Sequence, residues 1–222
     1  MTNVTLADEV ALLAYDEDGS AHGMGAHLDV GLAGALLLEL ALARRIDVAD
    51  GHVTVVDPAP TGDPLTDAAL GRIAGDPKAR RPKDWVNRLA KGARVAVLDR
   101  LVAAGVLARE TGTTLWVFPR TRYPASSAVQ PPAETDARQR MHAAVTGDGP
   151  VEPRTAALCA LVSALGWERR IFPDLPHRQV TARLKQIRQA AWPAEAVRQA
   201  IEEVQAAVTA AVIAGSVTTT GS

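Results

Sequence analysis

The sequence predicts a mainly α-helical protein: a single helical-bundle domain with short β-hairpins. Apolar residues make up 47% of the 222 residues and aromatic residues only 4%, and a chain rich in alanine and leucine favours helices. Capped apolar runs recur along the chain, whereas the strand–helix alternation of an α/β enzyme does not. Because a chain of this length can bury one sizeable core, we assign residues 1–222 to one domain.

The first third of the chain predicts two helices and a hairpin. Residues 5–15 form the first helix, capped by Thr5 and carrying two acidic residues in its first turn. Residues 32–44 are apolar on nearly every face, which is typical of a central helix. Two short strands then flank the Asp-Gly pair at 50–51, a favoured hairpin turn.

The middle of the chain predicts two further helices. Asp63 is placed as an N-cap, with a proline at the first helical position after it. A basic loop follows, and Asp84 is expected to cap a short helix.

A second hairpin is predicted after an amphipathic helix that begins at residue 93. The pattern is helix, short strand, tight turn at 111–113 and second strand at 115–118. A winged-helix DNA-binding module has this order, and so does an apolar hairpin directed at a membrane or a partner chain. The turn is acidic and neutral, whereas a DNA wing carries cations to meet phosphates. We therefore keep nucleic-acid binding as the alternative.

The second strand of this hairpin is apolar throughout. Side chains alternate along a strand, so one face is expected to pack on the domain and the other to mediate self-association or membrane contact. The strand consists of Leu115, Trp116, Val117 and Phe118.

The C-terminal half predicts one loop and four helices. Residues 119–133 are rich in proline and serine and indicate an exposed loop inside the domain. The helices are expected around residues 134–145, 153–165, 176–189 and 193–214. Residues 216–222 are predicted to be a frayed tail.

Composition and motifs argue against several function classes. The formal net charge is −1, so no global positive field attracts nucleic acid. The single cysteine, Cys159, lies in an apolar helical run and is expected to be buried in a protein of the reducing cytoplasm. No signal peptide, membrane-spanning run or catalytic motif occurs. His22 and His27 lack a third ligand nearby, so no metal, no cofactor and no enzymatic activity are predicted.

Five segments of the chain, in order, resemble the Golgi phosphoprotein 3 family. The similarity extends over most of the chain, from about residue 6 to 187, and rests on residues 6–19, 31–48, 57–70, 84–107 and 154–165. This resemblance implies a helical bundle with hairpins that acts as a peripheral membrane adaptor. Eukaryotic members bind phosphatidylinositol 4-phosphate in a shallow basic pocket and recruit Golgi glycosyltransferases. In the family, the apolar hairpin is linked to self-association and membrane contact.

The resemblance also indicates which residues form the headgroup pocket. The two basic residues of the later helix correspond to Lys91 and Arg94, which three-residue spacing would place on one helix face. Ala33 stands where the family has an arginine, and Met24 where it has a tryptophan. The upstream cations that we add to the pocket are Arg81 and Arg88, with Arg80 and Lys83 beside them.

The sequence therefore predicts a non-enzymatic scaffold at the cytoplasmic face of the inner membrane. Its expected partners are anionic, phosphoinositide-like phospholipid headgroups, a second copy bound through the hairpin, and unidentified client proteins. The alanine-rich composition and the short segment before the first helix suggest a bacterial, actinobacterial member. Such a cell has no Golgi, so the adaptor role does not transfer directly.

Overall fold

The computed structural model describes residues 4–21, 27–114, 118–127, 129–189 and 195–218. Within these ranges the chain forms ten helices and two antiparallel hairpins, which confirms the predicted fold class. The helices are α1 (Leu6–Ala14), α2 (Leu28–Leu42), α3 (Pro64–Ala74), α4 (Pro82–Leu89), α5 (Ala93–Ala103), α6 (Pro132–Thr146), α7 (Pro153–Ala164), α8 (Glu168–Ile171), α9 (His177–Gln189) and α10 (Glu195–Thr218). The strands are β1 (Ile46–Ala49), β2 (His52–Val55), β3 (Glu110–Thr114) and β4 (Phe118–Arg122).

Helix α2 occupies the centre of the bundle, as its apolar sequence predicts. Eleven of its fifteen residues are buried, and it packs against α1, α3, α4, α5, α7 and α10. Two glycines allow the close approach. A Cβ built on Gly31 would lie 2.7 Å from Leu165 Cδ1, and one on Gly34 would lie 2.6 Å from Val208 Cγ2. Helices α7 and α10 therefore dock against bare backbone of α2.

Local capping starts α1 and α3 where the sequence predicts, whereas α2 starts at Leu28, four residues before its predicted start at residue 32. Thr5 and Asp8 form a capping box on α1, in which the Thr5 amide donates to the Asp8 carboxylate at 2.9 Å. The Asp63 carboxylate accepts from the Thr66 amide at 2.8 Å and caps α3. The Arg100 side chain of α5 donates to both Asp8 and Asp63, so it joins the starts of two helices.

A buried ionic network joins helices α1, α2, α6 and α7. The Arg140 guanidinium donates to Glu9 Oε1 at 2.7 Å, and Arg154 donates to Glu39 Oε1 at 3.0 Å. The side chain of Glu9 is only 4% exposed. Burial raises the pKa of this carboxyl, while the two arginines oppose the shift. The network therefore links four helices of the bundle through charged side chains as well as through apolar packing.

The first hairpin has the predicted turn. Ile46 pairs with Val55 and Ala49 with His52, which leaves Asp50 and Gly51 as the two-residue connection. Their φ angles are +51° and +71°. A left-handed pair of this kind matches the right-handed twist of two antiparallel strands.

The second hairpin has a different register from the predicted one. Residues 111–113, predicted as the turn, lie in β3, where Thr111 pairs with Thr121. The described part of the second strand runs from Phe118 to Arg122. Threonine is a strong strand former, and this outweighs the turn preference of the glycine between the two threonines. Of the predicted association strand, Leu115, Trp116 and Val117 lie outside the described residues, and only the backbone of Phe118 is described.

Three smaller predictions were also wrong. The proposed loop at 119–133 is shorter, because β4 continues to Arg122 and α6 begins at Pro132. Asp84 lies in the first turn of α4, whose N-cap is Arg81. The proposed tail at 216–222 begins too early, since α10 continues to Thr218.

Candidate functional site

The N-terminal ends of α2 and α5 meet at one edge of the bundle. Arg94 lies in the first turn of α5 and donates from Nη2 to the Asp29 Oδ2 atom of α2 at 2.8 Å. The Arg94 side chain is 31% exposed and that of Asp29 is 41% exposed. This edge therefore presents a guanidinium that is fixed in position yet still accessible to a ligand.

Lys91 lies beside this edge but not on a helix. It is exposed, in the turn between α4 and α5, and Gly92 follows it as the N-cap of α5 with a φ of +84°. The predicted shared helix face of Lys91 and Arg94 is therefore wrong, because a left-handed residue separates Lys91 from the helix. Three residues still span at most ~11 Å between Cα atoms, so the two cations remain neighbours.

Of the other two pocket positions, the structure describes Ala33. Ala33 is fully buried in α2. An arginine at this position would have to enter a packed core, which disfavours Ala33→Arg as a way to restore the family's pocket. Met24 lies outside the described residues.

Tyr15 adds an aromatic group to the same edge. Its ring contacts that of Tyr123 edge to face, with 5.5 Å between the centroids. Burial raises the pKa of the Tyr15 phenol, and the nearby positive charge of Arg94 acts in the opposite direction. The phenol is therefore neutral at physiological pH and contributes no negative charge next to Arg94.

The remaining two predicted cations lie on or before α4. Arg81 is exposed and immediately precedes the helix. Arg88, in its last turn, lies 3.5 Å from Asp76 Oδ2, and its Cζ atom is 5.9 Å from the centroid of the Trp85 ring. The structure thus assigns Arg88 to a cleft around Asp76, whereas Arg94 belongs to the edge around Asp29.

Sequence reasoning did not identify Asp29 or Asp76. Asp29 is separated from Arg94 by 65 residues, so no local spacing signals their contact. Asp76 precedes Arg80 by four residues, a spacing that favours an ion pair on a helix. Here the segment is a loop, and the carboxylate contacts Arg80 and Arg88 there. The Arg80 hydrogen bond holds the pKa of the Asp76 carboxyl below its usual range.

The family model described as Golgi phosphoprotein 3 (GPP34) matches residues 6–204. No curated protein matches the chain significantly. In the part of the chain that the structure describes, every helix is too short or too polar to cross a membrane.

Proposed function

Because the chain belongs to the Golgi phosphoprotein 3 family, we propose that it is a non-enzymatic peripheral membrane protein. Its ligand is the headgroup of an anionic, phosphoinositide-like phospholipid. Its place is the cytoplasmic face of the inner membrane, and it acts there as a scaffold for client proteins. The headgroup contacts are assigned to Lys91 and Arg94.

The observation that carries this proposal is the position of Arg94, which lies in the first turn of α5 and contacts Asp29 in the first turn of α2. A guanidinium offers two parallel N–H donors to a phosphate, and an ammonium such as that of Lys91 adds a point charge. Asp29 already holds Arg94 in place, so binding needs little further ordering of this side chain. The exposed Lys91 can then approach the same anion from the adjoining turn.

Asp29 also weakens the site for anions. Its carboxylate occupies donors of Arg94 that a phosphate would use and cancels one positive charge. The family's additional arginine is replaced by the buried Ala33. We therefore expect modest affinity that declines steeply between low and physiological salt, because exposed charges are screened over about 8 Å at 0.15 M.

The test is co-sedimentation with vesicles of phosphatidylcholine containing 10% phosphatidylinositol 4-phosphate. Near an anionic leaflet an exposed cation contributes about 1 kcal/mol, so Lys91→Ala with Arg94→Ala should weaken binding about 30-fold. The matched control is Arg178→Ala with Lys185→Ala, which removes the same charges from exposed positions on α9. Equal binding by the parent and the Lys91/Arg94 variant would refute the assignment.

A second variant should change vesicle binding in the opposite direction. Asp29→Asn removes the competing carboxylate and should strengthen vesicle binding about 5-fold, the equivalent of one charge near the membrane. The change should cost about 0.3–1 kcal/mol of stability, since an acidic residue in the first turn favours the helix. No gain in vesicle binding by a folded Asp29→Asn variant would contradict a role for Arg94.

The same proteins also test the nucleic-acid alternative. A mobility-shift assay with duplex DNA is run at the salt concentrations of the vesicle assay. Binding to DNA that exceeds vesicle binding, and that Lys91→Ala with Arg94→Ala abolishes, would replace the lipid proposal with a nucleic-acid one.

We also propose self-association through the apolar residues 115–118. Leu115, Trp116 and Val117 connect β3 to β4 in the sequence, and Phe118 begins β4. Replacing residues 115–117 by serine should lower the solution mass or the vesicle affinity while leaving the melting temperature unchanged. The control replaces two exposed valines, Val56 and Val129, by serine. A loss of stability with no change in mass or vesicle affinity would contradict the proposal.

A further inference from the structure

A second basic cleft lies between α3 and α4, around Asp76. Its volume is about 350 Å³. Four cationic residues and a single carboxylate contribute to its lining, in a chain whose formal net charge is −1. The charged residues are Arg72, Lys78, Arg80, Arg88 and Asp76. The cleft therefore concentrates a surplus of positive charge that the chain as a whole does not have.

Asp76 neutralises only part of this charge. Its Oδ2 atom accepts from Arg80 Nε at 2.6 Å and lies 3.5 Å from Arg88 Nη1, so one carboxylate serves two guanidinium groups. The low pKa of Asp76 keeps it ionised, and Asp84 adds a further negative charge that acts on Arg80. Asp76 Oδ1 also accepts from the Lys78 backbone amide at 2.9 Å. Among the described residues, neither carboxylate forms an ion pair with the side chain of Arg72 or Lys78.

Contacts other than ion pairs hold the arginines in place. Arg72 Nη2 donates to the Arg88 carbonyl at 2.9 Å, which satisfies an acceptor in the last turn of α4. The Arg88 guanidinium lies over the ring of Trp85, which is 2% exposed and belongs to the core. The Arg80 carbonyl accepts from the Val53 amide of β2 at 2.8 Å. The last contact fixes the backbone at Arg80, and the first two partly order the Arg72 and Arg88 side chains before a ligand binds.

We infer that this cleft binds a phosphate monoester group. Such a group carries a charge of about −1.5 to −2 at neutral pH and three acceptor oxygens, which suits several converging arginines. This cleft would be a second anion site of the proposed membrane protein. It rests on the proposed function in that the cleft faces the membrane only if Lys91 and Arg94 do. The Cα atoms of Arg88 and Lys91 are at most ~11 Å apart, so a membrane that touches Lys91 is close to the cleft. The phosphate belongs to a lipid headgroup or to a soluble phosphorylated compound.

The test combines two probes with one variant pair. Arg72→Gln with Arg88→Gln removes two cleft charges and keeps an N–H donor at each position. The control is Arg169→Gln with Arg178→Gln, two exposed arginines on α8 and α9. The first probe is inorganic phosphate, followed through the arginine Nε–H signals in NMR spectra. The second is vesicles with 10% phosphatidylinositol 4-phosphate, compared with phosphatidylserine vesicles of equal surface charge.

The expected results identify the source of the phosphate. Phosphate should shift the Nε–H signals of Arg72 and Arg88 in the parent, and the cleft variant should bind phosphate at least about 10-fold more weakly. For a lipid source the cleft variant also loses about 30-fold in binding to the phosphomonoester vesicles, as expected for two cations, while the control changes little. If phosphate shifts the arginine signals in the parent but the cleft variant binds vesicles as the parent does, the phosphate belongs to a soluble compound.

The inference is overturned if phosphate leaves both arginine signals in place, or if the control variant loses as much phosphate binding as the cleft variant. The Lys91/Arg94 variant separates this outcome from failure of the proposed function. If that variant binds vesicles as the parent does while phosphate still shifts Arg72 and Arg88, the lipid site fails and the cleft stands. If that variant loses vesicle binding and phosphate does not shift the Arg72 and Arg88 signals in the parent, the lipid site at Lys91 and Arg94 is supported and phosphate binding in the cleft is refuted.

Discussion

The docking of α10 on bare backbone of α2 predicts opposite effects for the same substitution at two glycines. Gly34 lies in the buried interior of α2, and Gly71 lies exposed in α3. A Cβ on Gly34 would lie 2.6 Å from Val208 Cγ2 and 3.0 Å from Leu161 Cδ2, whereas a Cβ on Gly71 would meet nothing within 4 Å. Gly34→Ala and Gly71→Ala therefore differ only in the space around the added methyl group.

The magnitudes follow from two opposing terms. Alanine is favoured over glycine inside a helix by about 0.8–1.0 kcal/mol, and both variants gain this amount. Gly34→Ala also overpacks the core, at a cost of about 1–3 kcal/mol. Val208 cannot easily move away, because a β-branched side chain in a helix has one preferred χ1 rotamer. We expect Gly71→Ala to stabilise the protein by about 0.8–1.0 kcal/mol, and Gly34→Ala to be about 1–3 kcal/mol less stable than Gly71→Ala.

The assay is thermal unfolding of both variants beside the parent. For a chain of this size 1 kcal/mol corresponds to about 2–4 °C, so the melting temperatures should move to opposite sides of the parent. Gly31→Ala provides an intermediate case, since the ends of the flexible Leu165 side chain are what its Cβ would meet. A Gly34→Ala variant as stable as Gly71→Ala would refute the close approach of α10 to α2.

Four further predictions concern buried or charged groups. Burial raises the pKa of Cys159, the only cysteine, from 9.0 to about 12, which lowers its thiolate fraction at pH 8 about 1000-fold. Cys159 should therefore react with a thiol reagent at least about 1000-fold more slowly in the native protein than in the urea-unfolded protein. Reaction rates within tenfold of each other would contradict the burial of Cys159. The same raised pKa means that the native state holds the proton longer, so stability should fall as pH rises from about 9 to about 12, and Cys159→Ala should remove this slope. Arg100→Met leaves Asp8 and Asp63 without their guanidinium partner and should lower the free energy of unfolding by about 3 kcal/mol in urea titrations; a loss below about 0.5 kcal/mol would show that the ion pairs contribute little. The pKa of Asp76 lies below its ordinary 3.8, so the stability that ionised Asp76 contributes is present above pH 3.8 and is lost as the pH falls through the lowered pKa. Asp76→Asn should therefore reduce the loss of unfolding free energy between about pH 5 and 2.5. The same pH dependence in the parent and the variant would contradict the hydrogen bond from Arg80.

The sequence by itself determined the features that depend on neighbours a few residues apart. The Thr5 cap, the Asp63 cap and the Asp-Gly turn at 50–51 are all local, and each was predicted correctly. The structure adds that Asp8 completes a capping box with Thr5. The apolar pattern of α2 likewise identified the central helix, because a helix without a polar face must be buried. The order of five segments that resemble the family was sufficient to indicate it, and the match over residues 6–204 confirms this prediction.

Only the tertiary structure decided how the candidate site is assembled. Arg94 meets Asp29 because α2 and α5 pack side by side, and no local pattern in the sequence signals a contact between residues 65 positions apart. Lys91 leaves the helix because Gly92 adopts a left-handed conformation, and the β3–β4 register depends on pairing across the hairpin. Local propensities fix helices and caps through interactions within one turn. Contacts between distant segments depend instead on how the whole core packs, and that packing places Asp29 against Arg94 and Asp76 against Arg88.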